Sequence, residues 1–187
     1  SFTDEITFSA SNLINRHMEV FPEETRAYLS NYSSRNSSDQ VLKYLDGARD
    51  LKVLVIGETI IDEYLYCETI GKSGKEPILA AKHLDSEKFA GGIVAVANNV
   101  SAFTDDSAML TFLGGVDSQE DFVRKSLNSN VKSFFLQMSG DAPTIVKRRF
   151  VEKYPFQKLF EMYVMDDGEY VPAETEALCL KLQEILP

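Results

Sequence analysis

Leu51 to Ile56 and Met109 to Leu113 are short runs of nearly unbroken apolar character, and they constrain the fold of this chain more than any other feature. A strand covered on both faces needs such a run, because it has no solvent side on which to alternate polar residues. Between the two runs the period changes. Ile93 to Phe103 is predicted to be a helix with Ile93, Val96, Ala97, Val100 and Phe103 on one face. A second helix is predicted over Gln119 to Asn128 with Ser118 as its cap, then a third strand over Val131 to Gln137. Thr175 to Leu186 reads as a closing helix with Leu178, Leu182 and Ile185 in register. Strand, helix, strand, helix, strand implies right-handed crossovers and a doubly wound parallel α/β sheet.

Two stretches interrupt this order. Ile60 to Cys67 with Ile78 to Leu84, and Thr144 to Val151 with Leu159 to Met165, read as shorter hairpin-type strands. They are either edge extensions of the main sheet or a small separate sheet over the carboxyl ends of the parallel strands, where open α/β sheets bind ligands.

The first fifty residues are helical and polar. Asn12 to Val20 reads as one short helix. Pro22 opens the next, with Glu23 and Glu24 at the positive end of its dipole, an apolar stripe of Tyr28, Leu29 and Tyr32, and an end by Asn36. Ser37 and Gln40 form a capping box, Val41, Leu42 and Leu45 a buried stripe, and Gly47 closes that helix. Ser33 to Ser38 is expected to be the connector.

Composition narrows the function classes. The 187 residues carry 19 Lys and Arg against 29 Asp and Glu, a net charge of -10, which disfavours nucleic acid as a partner. No apolar run reaches the length of a membrane span, and the amino-terminal residues lack the pattern of a secretory signal, so a cytoplasmic setting is expected. Cys67 and Cys179 are far apart, as are His17 and His83, so neither a disulfide framework nor a metal site is expected.

Chemistry is concentrated at strand ends. Glu58 and Asp62 follow the first buried strand, where carboxylates either cap turns or accept hydrogen bonds from adjacent sugar hydroxyls. Gly91-Gly92 opens the helix that carries Asn98 and Asn99; paired glycines serve a plain turn or the close approach of backbone to a ligand. Lys147 and Arg149, two apart on a predicted strand, share a face that meets an anionic group or simply guards an edge. Gly71-Lys72-Ser73 lacks the glycine that a P-loop needs five positions earlier, where Tyr66 stands, so it reads as a turn. Gly114-Gly115-Val116-Asp117 reads as the approach to a helix capped by Asp117 and Ser118. No GxGxxG follows a predicted strand, which argues against a dinucleotide-binding domain.

The segments VLVIGETIIDEY, EKFAGGIVAVANNVSAF, MLTFLGGVDSQEDFVRKSL and PTIVKRRFV together resemble the PfkB, or ribokinase-type, carbohydrate kinases, particularly the heptose-phosphate kinase branch. The resemblance covers residues 51–187 and implies the amino-terminal half of a ribokinase-like α/β domain, its parallel sheet incomplete, with a small β lid. It assigns Asp62 to sugar hydroxyls, Gly91 and Gly92 to the lining of the sugar site, and Lys147 and Arg149 to a lid strand facing the substrate. Asn99 matches the second asparagine of the helix, whereas Glu58 replaces a usual aspartate and Ala95 a frequent asparagine. The implied partner is a sugar or sugar phosphate, the implied cofactors are ATP and Mg, and the lid strands imply a homodimer. The catalytic aspartate and most of the ATP pocket are expected beyond Pro187, so no catalytic residue is assigned to this chain and an exposed sheet edge prone to self-association is expected.

Ahead of this part, ITFSASNLINR resembles the closing motif of cytidylyltransferase-like domains, with Ser9 and Ser11 at the positions that contact nucleotide phosphate. Residues 1–50 are therefore expected to be the helical tail of a nucleotidyltransferase-like domain and a linker, and the chain a piece of a bifunctional nucleotidyltransferase and sugar kinase. The alternative is a non-catalytic dimerisation or assembly module of a nucleotidyltransferase.

Overall fold

The computed structural model describes residues 21–186, so the helix expected over Asn12 to Val20 and the candidate nucleotide residues Ser9 and Ser11 lie outside the described residues. Two compact units meet between Gly47 and Ala48.

The first unit contains α1 (Glu23–Arg35) and α2 (Ser38–Gly47). Pro22 sits just before α1, and Glu23 and Glu24 occupy the first turn, where their charges oppose the helix dipole. Only Asn36 and Ser37 separate the helices, so the connector is shorter than the serine content suggests. The Ser33 and Ser34 hydroxyls donate to the carbonyls of Ser30 and Asn31 one turn back, at 3.0 and 2.8 Å, which lets both serines remain helical. The Ser37 hydroxyl accepts the Gln40 amide at 3.2 Å, the expected cap. The stripe of Val41, Leu42 and Leu45 is not buried: neither helix has a buried residue among those described. Two short helices by themselves bury too little surface to enclose a side chain.

In the second unit a single 3-10 turn (Ala48–Asp50) leads into β1 (Lys52–Ile56). With β4 (Asp106–Leu113) and β5 (Val131–Gln137) it forms a three-stranded parallel sheet in the order β1-β4-β5. Ile56 pairs with Leu110 and Leu113 with Gln137. The central strand holds the core, with Met109, Leu110 and Leu113 at most 1% exposed. β1 is only half-buried instead of covered on both faces, because it is an edge of this sheet and its ends lie open.

The helix α3 (Ile93–Val100) is three residues shorter than its periodicity suggests, and Ser101 to Phe103 form a turn. Its inward stripe is Ile93, Val94 and Ala97, while Val96 and Phe103 are exposed. The helix α4 (Glu120–Ser126) is also shorter than expected and Ser118 does not cap it. Gln119 precedes it in a left-handed conformation, φ 55°, and makes no side-chain cap. Ser118 instead offers its carbonyl to the Thr144 hydroxyl at 2.8 Å. Gly114 and Gly115 are structural for a different reason from the one expected. A Cβ at Gly114 would overlap the backbone of Pro143 and Thr144, and one at Gly115 would lie 2.6 Å from the Gly140 carbonyl oxygen.

The interrupting strands form a separate sheet, not an extension of the first. β2 (Thr59–Lys72) and β3 (Leu79–Gly92) are a long antiparallel hairpin, with β3 running eight residues past the expected Leu84. β6 (Ile145–Glu152) joins β2 in parallel and β7 (Lys158–Val164) joins β6 antiparallel, in the order β3-β2-β6-β7. Its base is fastened to the core: Ile61 and Val146 pack in one cluster with Ile93, Val94, Ala97, Met109, Leu113 and Val123. The buried Thr59 and Thr111 hydroxyls share a hydrogen bond at 3.0 Å where the two sheets meet. The closing α5 (Pro172–Ile185) begins at Pro172, earlier than expected, with Leu178, Leu182 and Ile185 half-buried. No helix among the described residues is long and apolar enough to cross a membrane.

Candidate functional site

Strand alternation sorts the lid sheet into two faces. Ile61 and Val146 point to the core, so Asp62 and Tyr64 on β2 face the other way, together with Lys147 and Arg149 on β6 and Glu161 and Tyr163 on β7. The register pairs Asp62 with Lys147, Tyr64 with Arg149, Arg149 with Glu161 and Lys147 with Tyr163. Two acids, two bases and two phenols thus share one face.

Asp62 is the centre of this group. One carboxylate oxygen accepts a hydrogen bond from the Arg149 guanidinium. The other lies so close to Gly91 that a Cβ there would overlap it. Gly91 is therefore the point at which backbone makes room for the carboxylate. Gly92 does a different job: with φ 55° it turns the chain from β3 into α3, and a Cβ would overlap the Glu58 carbonyl oxygen. That carbonyl accepts the Ile93 amide at 3.0 Å.

Arg149 is held from three sides. It bonds Asp62, donates to Glu161 at 3.1 Å and lies over the Tyr64 ring, 5.3 Å from its centre. Its side chain is 17% exposed against 26% for Asp62, so this is a partly sheltered ion pair. The hydrogen bond that Arg149 donates to Asp62 raises the guanidinium pKa above its ordinary value. The Tyr163 hydroxyl donates to Glu161 at 2.7 Å and, with Arg149 and Lys158, holds that carboxyl below its usual range; the same bond pushes the Tyr163 phenol up. Lys147 lies 5.6 Å from the centre of the Tyr163 ring and has no carboxylate partner among the described residues.

The remaining candidates are elsewhere. Glu58 is exposed and lines a cavity of about 60 Å³ with Phe112, Met138, Asp166 and Tyr170 at the carboxyl ends of β1 and β4. Tyr170 packs on Phe112 with ring centres 5.1 Å apart; burial pushes its phenol up, aided by Glu58 and Glu174. Neither Asp62 nor Gly91 lines this cavity, which has room for roughly two waters rather than a sugar. Asn99 is exposed on the last turn of α3, and its side chain makes no hydrogen bond among the described residues. Its neighbour Asn98 is structural, donating to the Ser126 carbonyl at 2.7 Å and accepting the Asn128 amide at 2.8 Å.

Sequence reasoning missed Tyr64, Glu161 and Tyr163. Tyr64 had a usable signal, since a strand places it two residues from Asp62 on the same face. Glu161 and Tyr163 join the group only through the β6–β7 register, which no local pattern announces.

No family model matches the chain. Curated relatives do. The chain is 32% identical over 130 residues to the bifunctional protein HldE of Azotobacter vinelandii, covering 67% of this chain and 27% of the relative. It is 27% identical over 146 residues to the bifunctional protein HldE of Pasteurella multocida, covering 78% and 30%. The chain therefore spans less than a third of the length of the curated relatives it matches. Among solved structures, phosphofructokinase-2 from Escherichia coli in complex with fructose-6-phosphate superposes with a TM-score of 0.51 at 13% identity, over 72% of this chain and 42% of that one. The fold is thus part of a ribokinase-like α/β fold, and in sequence the chain is a relative of a portion of the bifunctional HldE proteins.

Proposed function

We propose that residues 51–187 supply the sugar-binding face and lid of an ATP-dependent kinase that acts on a sugar or sugar phosphate. The observation that carries this reading is the Asp62 carboxylate set against the Gly91 backbone, on a lid face that also bears Arg149 and Lys147. A carboxylate accepts hydrogen bonds from neighbouring hydroxyls of a polyol and so orients it. Lys147 and Arg149 complement an anionic substituent and Gly92 shapes the turn into α3, whereas Glu58 and Asn99 lie apart from this group and are given no part in it.

Mg and ATP act in this proposal through the rest of the kinase. The described residues hold no group of three or more His, Cys, Asp or Glu side chains that could bind a metal ion, so we assign no Mg ligand to them. Residues 1–50 are proposed to be the tail of a nucleotidyltransferase-like domain and a linker, with Ser9 and Ser11 toward nucleotide phosphate. The name of the curated relatives, a bifunctional protein, is consistent with that division.

Isothermal titration with free and phosphorylated sugars tests the reading. Asp62→Asn is expected to weaken binding at least about tenfold, the effect of losing one charge-assisted bond. An unaltered affinity would overturn the assignment.

A second reading is supported by the exposure of β3, on which 11 of 14 residues are open to solvent, Phe89 and Leu79 among them. In it the lid strands serve homodimerisation or assembly. A dimer in light scattering that binds no sugar would favour this module over the kinase half.

A further inference from the structure

Asp62 is the residue best placed to accept sugar hydroxyls, and it is already engaged by Arg149. Arg149 bridges Asp62 and Glu161 and is braced by the Tyr64 ring, so one oxygen of the Asp62 carboxylate carries the guanidinium and the other faces Gly91. A ligand made only of hydroxyls must compete for this carboxylate with a charged donor, and its own bonds to Asp62, charged on one side only, do not replace the ion pair that is given up. Next to this pair stands Lys147, register partner of Asp62, with an aromatic ring near its ammonium and no ion-pair partner among the described residues. An anionic group arriving there is drawn to Lys147 and offers Arg149 a second anion within reach of its flexible side chain.

We propose that Arg149 is an internal lock on Asp62, released by an anionic group of the incoming substrate, so that the site selects phosphorylated or otherwise anionic sugars and turns away neutral ones. The inference rests on the reading of this face as a sugar site. Moving Arg149 from Asp62 to the anion frees the carboxylate for hydroxyls at the moment the sugar arrives. In this exchange the guanidinium keeps Glu161 and gains the anion, while Asp62 gives up its counter-ion and is compensated by the sugar hydroxyls. Recognition of the anion and of the hydroxyls is thereby coupled through one side chain, and the coupling is reciprocal.

Calorimetry on the whole chain tests this, with pentoses, hexoses and heptoses each offered free and as the terminal phosphate ester. The wild type is expected to prefer the phosphate ester at least about a hundredfold. Arg149→Gln is expected to strengthen binding of the free sugar about tenfold while weakening the ester, which collapses the preference. Arg149→Lys, which keeps the charge but loses the fork, moves both affinities the same way by less and serves if the glutamine variant does not fold. With inorganic phosphate present, the wild type is expected to bind the free sugar more tightly, and Arg149→Gln to show no such gain. A free-sugar affinity that is unchanged or lower in both variants overturns the lock while leaving the sugar site intact. If no sugar, free or phosphorylated, binds the wild type or either variant, the sugar site itself is overturned and the lock with it.

Discussion

The two sheets of this protein are built on opposite principles. The parallel sheet β1-β4-β5 is organised by burial: Met109, Leu110 and Leu113 are shielded from solvent, and Met109 and Leu113 pack in one cluster with Ile93, Val94 and Ala97 of α3 and Val123 of α4. The lid sheet β3-β2-β6-β7 joins the core through Ile61 and Val146 at its base; farther out it buries only Cys67 and Val151, stacks Phe150 on Phe160, and carries most of its ion pairs. One of its faces carries the pair Asp62–Arg149 with Glu161, the other Glu63 with Arg148 and Lys88. Burial is non-directional and fixes a fold, whereas partly sheltered ion pairs add little net stability and hold a geometry that a charged ligand can rearrange. The scaffold and the adjustable surface are thus separate sheets joined at the Thr59–Thr111 hydrogen bond.

Four substitutions break or sharpen this contrast. Leu110→Ala, in the centre of the parallel sheet, is expected to cost about 2–5 kcal/mol in urea denaturation, the range for a large side chain removed from a closed core. A cost below about 1 kcal/mol would mean that the scaffold is looser than its burial implies.

A pair of glycines gives the next effect. At Gly114 an added methyl group meets the backbone of Thr144 and Pro143, which cannot step aside, so Gly114→Ala is expected to destabilise by about 1–3 kcal/mol. At Gly91 the same methyl meets the Asp62 side chain, which can swing away. Gly91→Ala is therefore expected to leave the denaturation midpoint nearly unchanged but to displace the carboxylate and weaken sugar binding. Equal destabilisation by both would erase the distinction between the sheets.

The smallest effect concerns the start of α5. Glu174 accepts the Ser139 amide at 2.6 Å and the Val171 amide at 2.9 Å, and these backbone bonds hold its carboxyl below the ordinary value of 4.5. A carboxyl with a lowered folded pKa contributes stability that is complete above its unfolded value and is lost as pH falls through the folded one. Glu174→Gln is expected to lower the denaturation midpoint most near pH 7, the difference from wild type shrinking as pH falls below 4.5. A difference independent of pH would assign the loss to packing instead of charge.

Local pattern revealed much of the scaffold and part of the site. The runs at Leu51 to Ile56 and Met109 to Leu113 and the turn of period at Ile93 are properties of neighbouring residues, and the parallel strands lie where they indicate. Helix ends were less legible, because Gln119 adopts a left-handed backbone and Ser118 is drawn away by Thr144. At the site, Asp62 and Gly91 were visible as residues suited to a polyol, and their contact across the β2–β3 hairpin is now explicit. Nothing local announced that Arg149, on a strand 87 residues further along, would occupy that carboxylate.

By itself, then, the sequence determined which segments become buried strands and which residue types stand at their ends, since hydrophobic period and backbone preference act within a few residues of chain. Only the tertiary structure decided which face of the lid each charge occupies and which charges meet. Strand register settles both, and a slip of one residue would turn every side chain of that strand to the opposite face.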